Sequence, residues 1–304
     1  MRRHFVHFLW GSLLAILGLV FVFFISVWNG WVGYMPDMDE LSNPIDKFAS
    51  QVYSSDQQLI GTWNADNNNR VAIDYNGLSP HLVHALVATE DERFYEHSGI
   101  DFIALGRAVV KRGVMGQASA GGGSTITQQL AKQLFSEKAH STVERLLQKP
   151  IEWIIAVKLE RHFTKEEILA MYFNYFDFLH NAVGVKRAAN VYFDKEPRKL
   201  TVTEAAMLVG LCKNPSMFNP LRYPERCLQR RNVVLMQMVK SGYVTKAEFE
   251  ELSQRPLGLH FTKSKPVSGA GDYFQAFLRQ YMMAKKPERE NYQAWQNRQF
   301  VLDS

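Results

Sequence analysis

The chain has 304 residues, of which 46% are hydrophobic and 21% are charged. This composition is typical of a folded protein with a sizeable core and excludes an intrinsically disordered chain. The formal net charge of +5 results from 35 basic and 30 acidic residues. That excess is too small to decide among anionic lipids, phosphorylated substrates and nucleic acid as partners. The two cysteines, Cys212 and Cys227, match no metal-ligand spacing, and we expect two buried thiols on helices.

The first element in chain order is an apolar segment, residues 8–28, which carries no formal charge. At ~1.5 Å of rise per residue, a helix of this length crosses a ~30 Å hydrocarbon layer. A cleaved signal peptide is the alternative, but the run is longer than an h-region and no A-x-A-like site follows it. Arg2 and Arg3 precede the run and acidic residues follow it. The positive-inside rule therefore predicts an uncleaved single-pass anchor in the cytoplasmic membrane, with the C-terminal bulk on the outer face. The outer end of the run has the aromatic residues of an interface belt: Trp28, Trp31 and Tyr34.

Residues 49–75 have strand character. The segments ASQVYSSDQQLIGTWN and RVAIDY are rich in β-forming residues, and the turn-forming cluster ADNNN separates them. This pattern predicts a small β-hairpin next to the membrane, with its turn at ADNNN. We therefore assign residues 1–34 to a cytoplasmic tail and transmembrane anchor, and residues 35–77 to a juxtamembrane hairpin segment.

Beyond this segment the sequence contains repeated helix starts. Ser79 precedes Pro80 as an N-cap and first-turn pair, and Asp101 can cap a further helix. Apolar residues recur at helical spacing after each start, so residues 78–260 are predicted to be mainly α. The pattern weakens over residues 261–304, which we interpret as a linker and tail toward a possible further domain. Four starts have the spacing of a capping box: Ser141 to Glu144, Thr164 to Glu167, Thr201 to Glu204 and Thr245 to Glu248.

A first candidate for chemistry is Glu90, in the stretch ATEDERFYEHSG. Glu90 ends the apolar run HALVAT, so its carboxylate is predicted to be partly desolvated, as suits a general base that contributes ~10²- to 10⁴-fold to a rate. The alternative is an exposed acidic turn in which Glu90 pairs with Arg93 or caps a helix. From this stretch alone, the exposed turn is the more common outcome.

A second candidate is the glycine-rich loop and helix start GGGSTITQQLAKQLF. Backbone N–H groups at such a helix N-terminus can meet an anion, and Lys132 adds a point charge for phosphate. A flexible loop whose polar residues face water fits this stretch equally well.

A third candidate is LLQKPIEWIIAVKLER, in which Lys149 and Glu152 share a helical face unless Pro150 disrupts it. The pair suits either a substrate clamp or a solvated surface ion pair, and the surface pair is the more common of the two. Two longer segments are interpreted as packing elements: YFNYFDFLHNAVGVKRAANVYF and EAAMLVGLCKNPSMFNPLRYPERCLQRRNVVL. The small residues around Gly184 in the first of them permit a close approach of helices.

In this order, the motifs EDERFYEHSGID, GGGSTITQQLAKQLF, KPIE, GVKRAANVYF and EAAMLVGLCKNPSMFNP resemble those of the peptidoglycan glycosyltransferase family. The resemblance covers about residues 78–241, and QVYSSDQQLIGTWNADNNNR looks like the hairpin segment of class A penicillin-binding proteins. It implies a mainly α, lysozyme-like glycosyltransferase domain whose hydrophobic jaw dips into the outer leaflet. The implied reaction polymerises lipid II into β-1,4 glycan strands by inversion, with release of undecaprenyl pyrophosphate. The implied partners are lipid II, the growing glycan strand, membrane lipids and cell-wall synthesis proteins, and not nucleic acid.

The resemblance also implies roles for residues. Glu90 is matched to the base that deprotonates the acceptor 4-hydroxyl, and Glu152 to a second carboxylate that positions the donor side or a metal. Lys132 and Lys149 match basic positions near the pyrophosphate, and Arg145 is a candidate substitute for a family arginine. A divalent cation, Mg²⁺ or Mn²⁺, is used on the pyrophosphate by some members, and this sequence does not decide its presence. The same cleft is implied to contain Ser124, Thr125 and Gln129.

Some positions depart from the family pattern. Gln148 stands where an arginine usually precedes the motif lysine, and Gln133 stands where asparagine is usual. Leu179 and Asp194 stand where glycine is common. Because both carboxylates and both lysines persist, activity is expected, with weaker binding of the pyrophosphate.

Two other functions stay open. A lysozyme-like glycan-cleaving enzyme would use Glu90 as an acid, but hydrolysis requires two flanking carboxylates and water, whereas the lysines and the glycine-rich loop suit a phosphate leaving group. A non-catalytic scaffold that binds lipid II is suggested by the departures. No serine is followed three residues later by lysine and no Lys-Thr-Gly occurs, so the penicillin-reactive site is absent from this sequence. A transpeptidase domain is expected only beyond Ser304.

Overall fold

The structure is a computed structural model that describes residues 2–31, 35–36, 50–53, 59–63, 71–110, 123–136 and 142–262. This part of the chain is mainly α-helical, which confirms the predicted class. Single 3₁₀ turns lie at Tyr75–Gly77, Phe94–Glu96 and Pro197–Lys199. The α-helices are α1 (Arg2–Trp28), α2 (Pro80–Glu90), α3 (Phe102–Val109), α4 (Ile126–Phe135), α5 (Thr142–His162), α6 (Lys165–Tyr175), α7 (Val185–Phe193), α8 (Val202–Lys213), α9 (Pro224–Lys240) and α10 (Lys246–Gln254).

Helix α1 is the long apolar helix that the sequence predicts. Its span His4–Trp28 has 25 residues and a mean hydropathy of 2.6, and among the described residues it is the one helix long and apolar enough to cross a membrane. A membrane anchor and a signal segment share these properties. The last turns of α1 contact α5. Phe24 stacks on Trp153 with ring centroids 6.4 Å apart, and Lys158 Nζ lies 5.3 Å from the ring centroid of Trp28.

Two short strands precede the helical body. β1 (Ser50–Tyr53) and β2 (Leu59–Trp63) pair antiparallel. Both lie within the first segment predicted as a strand, so their pairing differs from the predicted one, which joined that segment to RVAIDY across ADNNN. The residues that join β1 and β2 fall outside the described ranges, so a hairpin turn between them is unconfirmed. The strand expected over RVAIDY is wrong at residues 71–74. There the backbone forms hydrogen bonds with the Asn174 side chain and not with a neighbouring strand. Ile73 N donates to Asn174 Oδ1 at 3.1 Å, and Asn174 Nδ2 donates to Ile73 O at 2.8 Å.

The helix starts follow the predicted caps. Ser79 and Asp101 each accept backbone N–H groups at the starts of α2 and α3. Complete capping boxes begin α6, α8 and α10, with Thr164, Thr201 and Thr245 as the N-caps. An N-cap contributes ~1 kcal/mol, so these side chains define where the helices begin. The box predicted at Ser141 starts at a residue outside the described part.

The core has two groups of helices. Helices α2, α8 and α9 pack on one another, and α4 packs against α5 and α6. Cys212 on α8 and Cys227 on α9 are buried free thiols, as predicted. The two groups meet where the C-terminal end of α2 lies against α4, and this junction forms the site described below.

Arg231 holds α10 against α9. Its side chain is fully buried, and its guanidinium donates to backbone carbonyls near the C-terminal end of α10, those of Leu252, Ser253, Arg255 and Pro256. Carbonyls at a helix C-terminus lack intrahelical partners and carry partial negative charge. A buried arginine is therefore stabilised there by backbone oxygens.

The loop between α6 and α7 is tight. Gly184 has φ of 82°, and a Cβ at this position would lie 2.9 Å from Asn174 O, which confirms the predicted close approach. Leu179 and Asp194, which stand where glycine was expected, have φ of 67° and 51°. Residues other than glycine adopt this left-handed backbone conformation at a cost of roughly 1–2 kcal/mol. The backbone therefore keeps a shape suited to glycine, although the residues have changed.

Replacing Asp194 with glycine is expected to raise the free energy of unfolding by about 0.5–1 kcal/mol, because glycine adopts positive φ without a Cβ penalty. The Asp194 side chain is exposed and accepts a long hydrogen bond of 3.5 Å from Asn190 Nδ2, so its loss costs little. Denaturant unfolding of the purified chain measures the change. The matched variant Asp194→Ala keeps the Cβ and is expected to lower stability; a destabilised Asp194→Gly would contradict the argument.

Candidate active site

Glu90 is the last residue of α2 and lies on the wall of an open cleft. Its side chain is 15% exposed, which confirms the predicted partial burial. Gln129 Nε2 donates to Glu90 Oε2 at 3.0 Å, and Arg230 lies 3.5 Å from Glu90 Oε1. The alternative in which Glu90 pairs with Arg93 is wrong, because Arg93 pairs with Glu96 at 2.9 Å.

Asp91, next to Glu90, connects the end of α2 to the start of α4. Its buried carboxylate accepts a hydrogen bond from Ile126 N, the first residue of α4, at 3.0 Å, and pairs with His97 Nε2 at 3.0 Å. A negative charge at a helix N-terminus is favourable because the terminal N–H groups carry partial positive charge. Asp91 therefore acts as a structural tie beneath the cleft.

Thr125 is the N-cap of α4. Its hydroxyl accepts from Gln128 N at 3.1 Å and donates to Gly99 O at 2.7 Å. Gly99 has φ of 91°, and a Cβ there would lie 2.8 Å from the carbonyl carbon of Ala156. Thr125 and the neighbouring Ser124 both line the cleft, but the Thr125 hydroxyl is already used within the fold.

Glu152 is fully buried and lies between two cations of α5. Lys149 Nζ donates to Glu152 Oε2 at 2.8 Å, and Arg145 donates to Glu152 Oε1 at 2.5 Å. Pro150 lies inside the helix but does not disrupt the pair, and the alternative of a solvated surface pair is wrong because Glu152 is 0% exposed. Lys149 Nζ also donates to Ser124 Oγ at 3.2 Å, which links the cluster to the cleft wall.

Lys132 belongs to the same electrostatic cluster. Burial is the largest cause that lowers the pKa of Lys132; the charges of Arg145 and Lys149 lower it further, and Glu152 opposes them. Besides Lys132, the charges that act on it are those of two cations, Arg145 and Lys149, and of one carboxylate, Glu152. Within this group of described residues the excess of positive charge suits an anionic ligand such as a phosphate. Gln148, where an arginine was expected, accepts a hydrogen bond from Arg145 at 3.1 Å and so orients that guanidinium.

The residues around Glu152 do not fit a divalent cation held by the protein. Both carboxylate oxygens of Glu152 are engaged by cations, so neither is available as a metal ligand. Across the described ranges, no group of three or more His, Cys, Asp and Glu side chains has a metal-binding arrangement.

Two residues of the site were not found from the sequence. The Tyr172 hydroxyl donates to Gln129 Oε1 at 3.1 Å, and Arg230 reaches Glu90 from α9. Arg230 is 140 residues from Glu90, and its segment was interpreted only as a packing element. A pairing this distant leaves no local pattern in one sequence.

An apolar surface borders the cleft on α3. Phe102 and Ile103 are 72% and 63% exposed, although Ala104 and Arg107 on the same helix line the cleft. Large apolar side chains grouped beside a polar cleft indicate contact with an apolar ligand or a membrane.

A family model described as Transglycosylase matches residues 56–239. The chain therefore belongs to the transglycosylase family. Penicillin-binding protein 1A of Aquifex aeolicus is 38% identical over 279 residues, which cover 91% of this chain and 36% of that protein. Penicillin-binding protein 1A of Escherichia coli is 36% identical over 248 residues, covering 82% of this chain and 28% of that protein.

The chain thus spans about a third of the length of these curated relatives. Among solved structures, penicillin-binding protein 1A from Haemophilus influenzae matches with a TM-score of 0.39 and 24% identity, over 81% of this chain and 25% of that chain.

The cluster predicts opposite shifts of the pKa of Lys132 in two variants. Arg145→Gln removes a repulsive charge and is expected to raise this pKa, whereas Glu152→Gln removes the attractive charge and is expected to lower it further. Reductive ¹³C-methylation of lysines followed by NMR titration measures both shifts, with Lys132→Arg to assign the signal. Shifts of the same sign in the two folded variants would show that Lys132 lies outside the cluster.

Proposed function

We propose that this chain is a membrane-anchored peptidoglycan glycosyltransferase that polymerises lipid II into β-1,4 glycan strands. The observation that carries the proposal is one cleft that joins a partly buried carboxylate, Glu90, to a cluster of cations through Ser124. Glycosyl transfer from a lipid pyrophosphate requires both parts: a base for the acceptor hydroxyl and positive charge for the leaving group.

In the proposed reaction Glu90 removes the proton from the 4-hydroxyl of the acceptor GlcNAc. The acceptor oxygen attacks the anomeric carbon of the donor MurNAc from the face opposite the pyrophosphate, and the bond from carbon to the pyrophosphate oxygen breaks. Inversion at that carbon gives the β linkage, and the proton passes from Glu90 to solvent. Gln129 and Arg230 place N–H groups on the two oxygens of Glu90, and these two contacts hold the carboxylate in one orientation at the cleft wall.

The leaving pyrophosphate gains negative charge on its phosphate oxygens. Lys132, Arg145 and Lys149 lie together in the cation cluster, and preorganised cations stabilise such charge without reorganisation. Glu152 has a supporting role in this scheme, because its two oxygens hold Arg145 and Lys149 in place. The proposed reaction uses no divalent cation. Polymerisation of lipid II in the presence of EDTA tests whether Mg²⁺ or Mn²⁺ is required.

The surroundings of the site support an amphiphilic substrate. The apolar surface on α3 and the apolar helix α1 suit a polyprenyl tail and an anchor in the cytoplasmic membrane, with the cleft on its outer face. We propose the domain division 1–34, 35–77, 78–260 and 261–304, with lipid II, the growing glycan strand, membrane lipids and cell-wall synthesis proteins as partners.

Glycan cleavage receives less support. Hydrolysis of a glycosidic bond uses two carboxyl groups on either side of it. Asp91 is buried and hydrogen-bonded to Ile126 N and His97, and Glu152 is buried between two cations. Neither of these two is available to activate a water molecule opposite Glu90, which leaves the exposed Glu92 on the same cleft wall as the candidate second carboxyl group for hydrolysis.

Glu90→Gln is expected to lower polymerisation by at least ~10²-fold, because glutamine cannot accept the hydroxyl proton. Gel-resolved products of labelled lipid II measure the loss in the detergent-solubilised chain. Glu96→Gln is the matched control: this carboxylate lies in the 3₁₀ turn that follows α2, pairs with Arg93 and is largely exposed, and its loss should leave the glycan ladder unchanged. Full-length glycan ladders made by the Glu90→Gln variant would show that Glu90 is not the general base.

A second assay separates the other two functions. Wild-type chain incubated with purified sacculi is expected to release no muropeptides, and release that depends on Glu90 would favour the cleaving enzyme. Binding of moenomycin by a folded wild-type chain that makes no glycan would favour the scaffold.

A further inference from the structure

A line of hydrogen bonds runs from a buried tyrosine to the proposed base. Tyr172 on α6 is fully buried, and its hydroxyl donates to Gln129 Oε1 at 3.1 Å. Gln129 Nε2 in turn donates to Glu90 Oε2 at 3.0 Å. Both ends of the Gln129 amide are therefore engaged, one by the core and the other by the cleft.

We infer that Tyr172 is a positioning residue that fixes the orientation of the Gln129 amide, so that Gln129 presents an N–H group rather than a carbonyl oxygen to Glu90. The inference rests on the proposed function for the role of Glu90 as base. It gives Gln129 a task other than contact with substrate, and it adds a core residue to the machinery of the site.

The reason lies in the chemistry of the amide. A flip of the Gln129 amide exchanges its oxygen and its NH₂ group. In the flipped orientation the carbonyl oxygen would face the carboxylate of Glu90, and two acceptors cannot form a hydrogen bond. The Tyr172 hydroxyl would then face an NH₂ group and would have to donate its proton to the neighbouring thiol of Cys212, a weak acceptor. The observed orientation satisfies both neighbours of the amide.

The orientation matters because an N–H donor stabilises the charged form of a carboxyl group. The other groups that face Glu90 do not depend on the amide. Arg230 approaches from α9 as a cation. Tyr172 and Cys212 have pKa values raised mainly by burial and stay neutral, and the adjacent Asp91 pairs with His97. Gln129 is thus the neutral neighbour that stabilises the Glu90 carboxylate in one orientation of its amide and destabilises it in the flipped orientation.

The direct test is Tyr172→Phe, which keeps the ring and removes the hydroxyl. We expect kcat for lipid II polymerisation to fall about tenfold, with KM unchanged, because a Gln129 amide that is free to flip no longer holds the Glu90 carboxylate in its productive position. The acidic limb of the rate against pH should move to higher pH, because Glu90 is protonated more easily once the N–H donor is no longer fixed. Tyr192→Phe is the matched control: its buried hydroxyl donates to Phe178 O at 2.6 Å, away from Glu90, and its loss should leave the pH profile in place.

A double-mutant cycle shows whether Tyr172 acts through Gln129. In a Gln129→Met background there is no amide to orient, so adding Tyr172→Phe should change neither kcat nor the pH profile further. An undiminished tenfold loss in that background would overturn the inference.

A readout that needs no turnover separates this inference from the proposed function. In the chain labelled with ¹³C at glutamate carboxyl groups, the Glu90 signal is assigned by its loss in Glu90→Gln, and its titration midpoint should lie higher in Tyr172→Phe than in wild type and Tyr192→Phe. An unmoved midpoint in folded Tyr172→Phe overturns the inference even where the wild type polymerises lipid II. A raised midpoint in a chain that makes no glycan supports the positioning role and defeats the proposed function.

A second variant covers the case in which Tyr172→Phe does not fold. Cys212→Ser gives the Tyr172 hydroxyl a stronger competing acceptor and so weakens its hold on Gln129. A smaller upward shift of the Glu90 midpoint is expected there, and no shift would count against the inference.

Discussion

The cleft depends on a buried carboxylate that is not proposed to react. Asp91 accepts the first backbone N–H of α4 and pairs with His97, and this tie joins the end of one helix to the beginning of another. Because Glu90 precedes Asp91 in the chain, and Ser124 lies two residues before Ile126, the tie places a carboxylate and a hydroxyl on walls of the same cleft. Gln129 then meets Glu90 one turn further along α4. An unpaired carboxylate in this position would be costly, so the geometry is strongly determined.

Two glutamates of the site have opposite surroundings, and the surroundings define what each can do. Glu90 is partly open to the cleft and is held by one amide and one guanidinium. Glu152 is closed off from solvent and held by two cations. The first environment leaves a carboxylate able to accept a proton; the second uses up both oxygens and organises positive charge instead. The same side chain thus serves chemistry in one place and support in the other.

The sequence predicts those features of the fold and the site that are caused by residues close together in the chain, and it fails where the cause is a contact between residues far apart in the chain. The N-caps at Ser79 and Asp101 and the apolar helix α1 have local causes, and all were predicted. The spacing of Lys149 and Glu152 predicted their contact but not its burial, because burial depends on the surrounding helices. The failure at RVAIDY has a distant cause: the partner of Ile73 lies 101 residues away. Arg230 and Tyr172 were missed for the same reason, since nothing near either residue marks it as a neighbour of Glu90 or Gln129.

Helix α5 carries the cation cluster near one end and, further along, the contacts with α1. From Lys149 to Lys158 the helix rises by about 14 Å at ~1.5 Å per residue, and Lys158 lies against Trp28 at the end of α1. Trp153, between these two lysines, stacks on Phe24, one turn before Trp28, so from Lys158 toward Lys149 helix α5 runs along α1 toward the N-terminal end of α1. One additional helical turn between Trp153 and Lys158 would shift the cation cluster by ~5 Å along α1, so the length of this span sets where along the apolar helix the cluster stands.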